Sequence, residues 1–531
     1  MAPEQAHPSY FPPGARRGGV YFSPVPRGGG PADDQFRPEP ADVFRLGRRL
    51  VRLAVGAARA EDHPLRRVLL DHLGPGAAGL PTVSGSWLQY DHVNVQIGLD
   101  AWLSGPGRQH ELIGITGFQH SMFGLAELAQ PGGHYSGLGV GNVATVALPA
   151  GPGGQTRPCV RCALYLISED ENRYALLLRS PDHPDPMDEI TLEVVAKDAG
   201  QAERVLGEVR QLAVEHNVFR GQVIAFGGEM FGHGRGSMLS FLDRPRTARD
   251  NVVLPPDLIE GIERQVLGVQ RHAARLRASG QHLKRGVLLY GPPGTGKTHT
   301  LGYLMGQMPL ATVVVLSGAA LQMIGSACSV ARVLQPSVIV VEDVDLIAEQ
   351  RMPHTGGHPL LFQLLNEMDG LGEDVDVTFL LTTNRADMLE EALAQRPGRV
   401  DHAAELPLPD AEARGRLIRL YQGNLDLDPA GLPTVIERTD GVTASFIKEL
   451  LRKAALFAAE DGAGPEDGTG AEQGAGAEDG AGAEAARGDG PLRVGDAHMS
   501  AALDQLLDTR NQLTRVLLGG QPAPGEPAGP R

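Results

Sequence analysis

The sequence predicts an α/β protein whose C-terminal half is built on a parallel sheet, preceded by an α+β domain. Three stretches predict the sheet. Gly286-Val287-Leu288-Leu289-Tyr290 is a short apolar run, followed at once by a glycine-rich turn. Ser337 to Val341 is a second run, closing on the acids Glu342 and Asp343, and Thr378 to Thr383 is a third, closing on Asn384. Continuous rather than alternating apolar runs suit strands buried on both faces, as parallel strands are when helices flank them.

The elements follow in order. The 531 residues allow two or three domains. Residues 1 to about 40 are rich in Pro and Gly with few apolar side chains, and are expected to be disordered. Val43, Leu46, Leu50, Leu53 and Val55 then fall mostly on one helical face. An α+β domain is expected over 41–245. In it Ala163 to Ile167 and Tyr174 to Leu178 read as short strands, and Ile190, Leu192 and Val194 alternate as in a half-buried strand. Ala202, Val205, Leu206, Val209, Leu212 and Ala213 recur at helical spacing, and Gln222 to Phe226 reads as another strand. The glycine stretch 227–237, with His233-Gly234-Arg235-Gly236, reads as a linker rather than an anion site.

The parallel-sheet region is expected over 246–410 and a helical region over 411–519. Within the latter, 461–490 repeats Gly, Ala, Glu and Asp, too polar to offset chain entropy, and reads as a flexible acidic insert. Met499, Ala502, Leu503, Leu506 and Leu507 resume a helical stripe, and 520–531 reads as a loose tail.

Composition narrows the function. A formal net charge of −16 argues against a general nucleic-acid binder, which needs clustered Lys and Arg. Cys159, Cys162 and Cys328 are too few for a disulfide scaffold and suit a reducing cytoplasm. The N-terminus has no apolar stretch of signal-peptide length, and no run approaches the ~20 apolar residues of a membrane span. A soluble, cytoplasmic protein without a membrane anchor is expected.

The chemistry concentrates at Gly291-Pro292-Pro293-Gly294-Thr295-Gly296-Lys297-Thr298, with His299 following. A strand, a glycine-rich turn and a helix beginning near Lys297 let backbone N–H groups curl around phosphate oxygens at a positive helix terminus. Lys297 would reach the β- and γ-phosphates of ATP, and the Thr298 hydroxyl would sit on Mg²⁺. Glu342, at the carboxyl end of a buried strand, is placed to hold the ion, and Asp343 to orient or deprotonate the attacking water. Asn384 offers a neutral amide to the γ-phosphate or that water. Arg396 and Arg399, either side of Pro397-Gly398, suit clamping phosphate charge on a neighbouring subunit.

The order of these motifs resembles the AAA family of protein-remodelling ATPases. PPGTGKT resembles its Walker A segment, PSVIVVEDVDLIA its Walker B strand, and LLNEMDGLGED the segment of intersubunit signalling, at Asp369-Gly370-Leu371. LLTTNRADMLEEALAQRPGRVD resembles its second region of homology. The resemblance covers about half the chain. It implies a Rossmann-like α/β subdomain, a small helical lid and a hexameric ring, with Asn384 as sensor and Arg396 and Arg399 reaching ATP on the adjacent protomer.

The sequence departs from the family in three places. The Glu342-Asp343 order reverses the usual Asp-Glu and resembles the branch of the mitochondrial Rieske-protein translocase, implying tuned hydrolysis by a base one methylene shorter. Met323-Ile324-Gly325 stands where an aromatic–apolar–Gly pore loop often sits, in a shortened region, and reads equally as core. Thr443-Ala444-Ser445-Phe446 resembles the start of the lid helix without its usual glycine, and Arg452 is expected to face solvent. Cys159 and Cys162 form one C-x-x-C pair before an apolar run, and core packing is the simpler reading than zinc or redox chemistry.

The leading expectation is an ATP-hydrolysing ring that remodels protein clients, recognised by the N-terminal domain. A nucleotide-gated scaffold with slow hydrolysis is the alternative, and a nucleic-acid motor ranks below both.

Overall fold

The computed structural model describes residues 63–118, 123–130, 137–181, 189–227, 238–345, 359–372, 375–385, 400–462 and 491–507. The N-terminal segment with its expected helix over 43–55, nearly all of the glycine stretch and the acidic insert, and the C-terminal tail lie outside the described residues.

The first sheet is antiparallel. Its strands are β1 (Thr82–Leu88), β2 (Arg108–Thr116), β3 (Gly139–Gly141), β4 (Ala144–Pro149), β5 (Thr156–Glu169), β6 (Asn172–Arg179) and β7 (Glu189–Val195), in the order β1-β7-β6-β5-β2-β3, with β4 on β5. Both faces are covered. Tyr165, Ile167, Leu176, Leu178, Ile190 and Leu192 pack with the helices His92–Leu103 and Ala199–Glu215. Leu164, Leu166, Ala175 and Leu177, one residue out of phase, pack with Pro64–Leu73 and Leu125–Ala129. This alternation is the period of a strand, doubled into two cores.

The expected half-buried strand over Ile190–Val194 is therefore corrected. Glu193, on its polar face, is itself buried, bonded to Arg179 at 2.8 Å and accepting from the Leu125 amide at 2.7 Å. An alternating sequence was preserved because a polar residue found partners inside rather than water outside. The helix expected from Ala202 to Ala213 is present as Ala199–Glu215, its first turn capped by the Asp198 carboxylate accepting from the Gln201 amide.

The second sheet is formed by β8 (Val223–Phe226), β9 (Leu239–Leu242), β10 (Arg285–Tyr290), β11 (Thr312–Leu316), β12 (Ser337–Val341), β13 (Val377–Thr383) and β14 (His402–Glu405). The order is β14-β10-β13-β12-β11-β8-β9, parallel except for β9. Val287, Leu289, Val313, Val338, Val340 and Leu380 face one layer of helices. Leu288, Val314, Ile339, Val341, Phe379 and Leu381 face the other. With both faces apolar, the runs read without alternation, as expected.

One expected boundary differs. The strand over 223–226 pairs with β11 of the parallel sheet, not with the antiparallel one, and β9 extends that edge. The sheet of the C-terminal half thus recruits residues before 246. The sequence of this strand is compatible with either sheet. The pairing is fixed by contacts distant in sequence: the Val313 amide donates to the Gln222 carbonyl and the Gly221 amide to Thr312 Oγ1. Just after β9, Arg244 donates to the carbonyls of Gly221, Met305, Met308 and Ala311, at 2.8–3.0 Å. Two of these belong to the C-terminal end of the helix Lys297–Gly306 and the residues just after it, where a cation suits the helix dipole.

The final layer is a helical subdomain of Ala411–Tyr421, Leu432–Arg438, Ala444–Gly462 and Asp496–Leu507, with the short parallel pair β15 (Asp426–Leu427) and β16 (Arg493–Val494). Phe446, Ile447, Leu450, Met499, Leu503 and Leu506 make its core, so the stripe resuming after the insert packs where expected.

In the first domain, a β-carbon on Gly98 would lie 2.6 Å from the Val209 carbonyl oxygen and the Ala213 amide nitrogen. The helices His92–Leu103 and Ala199–Glu215 touch backbone to backbone there. Gly98→Ala is expected to lower stability by about 1–3 kcal/mol, read from urea unfolding; an unchanged midpoint would show that the contact is not this close.

Candidate active site

The glycine-rich turn is shaped by its backbone. Gly291, Gly294 and Gly296 have φ of 145°, 82° and 100°, a region that side-chain-bearing residues rarely adopt. Space enforces the choice at two of them. A β-carbon on Gly291 would meet the Leu406 carbonyl oxygen at 2.4 Å, and one on Gly294 would meet Thr443 Oγ1 at 2.9 Å and the Ser445 β-carbon at 3.0 Å. The turn is therefore held between the end of β14 and the first residues of the helix Ala444–Gly462. The Ser445 amide also donates to the Gly294 carbonyl at 3.2 Å. The residues Thr443 to Phe446 thus open a helix that begins against the turn.

Lys297 opens the next helix and is buried, with Nζ donating to the carbonyls of Gly291 at 2.8 Å and Pro292 at 2.9 Å. Burial lowers its pKa from the usual lysine value, opposed by the negative charges of Asp343 and Asp345. Thr295 Oγ1 donates to the Pro292 carbonyl, stiffening the turn. Pro292, Pro293, Thr298 and His299 are exposed, and His299 Nε2 lies 3.1 Å from the Asn251 carbonyl.

Beside the turn lie the acids. β13 sits between β10 and β12, so Asn384, at its end, stands next to the end of β12. Glu342 is half-buried, its amide donating to the Leu316 carbonyl at 3.1 Å. Asp343 is exposed and has φ 51°, the left-handed region, which few non-glycine residues enter and Asp enters more readily than most. Its amide donates to Thr382 Oγ1 at 3.1 Å, and Asn384 Nδ2 donates to its Oδ1 at 3.3 Å.

One residue was missed in the sequence. Asp345 is buried, and its Oδ1 accepts from Thr383 Oγ1 at 2.9 Å and from the Asn384 amide at 3.2 Å. The available signal was a third acid in Glu342-Asp343-Val344-Asp345 facing two threonines at the end of a neighbouring apolar run. Arg396 and Arg399 lie outside the described residues. Met323 and Ile324 are buried in the core beneath the sheet, Ile324 starting the helix Ile324–Val333, so core packing is the reading realised. Arg452 faces solvent, in a bidentate pair with Glu449.

Residues 287–408 match the ATPase family associated with various cellular activities, AAA. Over 253 residues the chain is 31% identical to an ATP-dependent zinc metalloprotease FtsH of Rhodococcus erythropolis, covering 43% of this chain and 29% of that protein. It is 28% identical over 228 residues to a 26S proteasome regulatory subunit 8 homolog of Schizosaccharomyces pombe, covering 39% and 56%. A proteasome-activating nucleotidase of Thermococcus kodakarensis is 29% identical over 248 residues, covering 42% and 60%. The chain spans less than two thirds of each of these relatives. Residues 287–408, which carry most of the parallel sheet and its glycine-rich turn, thus form an AAA ATPase family domain, preceded by a separate antiparallel sheet.

Outside that segment, Cys159 and Cys162 sit on β5 in different cores, one beneath the parallel sheet and one against Pro64–Leu73. Neither forms a disulfide. Burial pushes both thiols, and that of Cys328, up to about 12. At pH 8 the native chain is therefore expected to react with iodoacetamide about a thousandfold more slowly than the guanidinium-unfolded chain. Fast alkylation of any of the three would contradict this packing.

Proposed function

We propose that the chain binds and hydrolyses ATP with Mg²⁺ as a homo-oligomeric ring, and uses the cycle to remodel protein clients. The observation that supports this best is the meeting of Lys297, Asp343 and Asn384 at one edge of a parallel sheet whose sequence matches an ATPase family. Ligands of such sheets bind beyond the carboxyl ends of the strands, where these groups stand.

The donors fit the ligands. Exposed Thr298, half-buried Glu342 and exposed Asp343 offer only hard oxygens, the preference of Mg²⁺. Thr298 and Glu342 would hold the ion, which when bound neutralises charge on the phosphate oxygens. Gly291 to Thr298, with His299 beside them, would cradle the triphosphate, Lys297 exchanging its loop carbonyls for phosphate oxygens. Asp343 would accept the proton of the attacking water, with Asn384 orienting it. Arg396 and Arg399 would reach the nucleotide of an adjacent protomer, making the ring part of the site.

The Glu342-Asp343 order, resembling the Rieske-protein translocase branch, supports hydrolysis tuned by a shorter base. Met323 and Ile324, buried, offer no side chain to a threaded polypeptide, which favours as second reading a nucleotide-gated scaffold with slow turnover. Three free thiols suit a reducing compartment such as the cytoplasm.

Lys297→Ala is expected to abolish binding of a fluorescent ATP analogue. Asp343→Asn is expected to bind it normally while phosphate release falls by about a hundredfold or more; full turnover by that variant would remove Asp343 from the role of base. Light scattering with and without ATP, beside steady-state turnover, separates the motor from the scaffold. Clients held by Asp343→Asn only with ATP present would identify the substrate.

A further inference from the structure

Main-chain pairing between β12 and β13 ends at Val341 opposite Leu381. The groups proposed for catalysis lie beyond that point, at Asp343 and Asn384. The sheet ladder therefore does not set their separation. Side chains do. Four hydrogen bonds stitch the two strand ends together: the Asp343 amide to Thr382 Oγ1, Thr383 Oγ1 to Asp345 Oδ1, the Asn384 amide to the same oxygen, and Asn384 Nδ2 to Asp343 Oδ1.

Adjacent threonines serve opposite ends of this stitch. The Thr382 hydroxyl accepts from the backbone of Asp343, whose left-handed φ is thereby anchored. The Thr383 hydroxyl donates to Asp345 and accepts from the Arg385 amide at 2.9 Å, so it also fixes the residue after Asn384. Asp345 is 8% exposed, Thr382 1% and Thr383 0%, so these bonds are shielded from water. The outer pair, exposed Asp343 and half-buried Asn384, is joined by the longest of the four bonds, at 3.3 Å, the weakest constraint in the set.

We infer that Asp345 is a positioning residue for hydrolysis: by gripping Thr383 and the Asn384 amide it sets the distance between Asp343 and Asn384, while touching no substrate itself. This rests on the proposed reading of the site as an ATPase. It also explains how a base one methylene shorter is accommodated, since Asp343 is aimed by its anchored backbone rather than by side-chain length.

The inference separates hydrogen bonding from mere filling of space. In the full-length chain, Asp345→Ala is expected to lower kcat about tenfold or more, with KM for ATP and affinity for a fluorescent ATP analogue within about threefold of the parent. Asp345→Asn keeps an oxygen able to accept both bonds and should recover most of the lost kcat. Thr383→Val, which removes the donor at nearly constant volume, should fall with Asp345→Ala, and the double variant no further than the lower single. A kcat for Asp345→Ala or Thr383→Val within about twofold of the parent overturns the inference. So does a parallel loss of kcat and nucleotide affinity, which marks general damage. Should Asp345→Ala fail to fold, Thr383→Val decides alone. A parent chain that binds ATP but never hydrolyses it overturns the ATPase reading and this inference with it, whereas an active parent beside an unaffected variant overturns this inference alone.

Discussion

The position of β13 between β10 and β12 is the constraint on which the site depends. β10 delivers the glycine-rich turn, β12 the acids and β13 the asparagine, and these three strands are far apart in sequence but adjacent in the sheet. Parallel pairing makes all three end at one edge. A sheet with β13 elsewhere would carry the same residues with no common site. What fixes the order is burial on both faces: Val340 and Leu380 face one helical layer while Ile339, Phe379 and Leu381 face the other. Fully covering a side chain of this kind stabilises by roughly 1.5–3 kcal/mol, and the outermost strands could not cover both faces so completely.

Around that edge the neighbours complete the enclosure. The helical subdomain brings Thr443 and Ser445 within contact of Gly294, and the carbonyl of Leu406 closes over Gly291. The glycines are required less for flexibility than for the absence of a side chain in a crowded place. Sequence alone displays them as a phosphate-binding signature. The structure adds that two of the three are also packing positions, so the helical subdomain and the turn constrain one another at Gly294.

Most of this was legible in the sequence because it is local. Apolar runs announce buried strands, glycines announce the turn, and the stripe from Met499 to Leu506 announces a helix despite the preceding insert. What was not legible depends on partners remote in sequence. Glu193 reads as a solvent-facing residue until Arg179 and the Leu125 amide are placed beside it. The strand over 223–226 reads as part of the first domain until β11 claims its edge. Asp345 reads as one more surface acid, since nothing local reveals that Thr383 will be its donor. The resemblance to the AAA family correctly anticipated the ATPase domain, while the finer likeness to the translocase branch rests on the order of two acids alone.

The guanidinium of Arg244 is a tether with mechanical meaning. It ties the segment leaving β9 to the C-terminal end of the helix Lys297–Gly306 and, through the Gly221 carbonyl, to the stretch that leaves the first domain. Any sliding or tilting of that helix along its axis must drag the outer edge of the parallel sheet, or break several carbonyl bonds at once. The C-terminal end of that helix is thereby fastened to the stretch through which the chain enters from the antiparallel sheet.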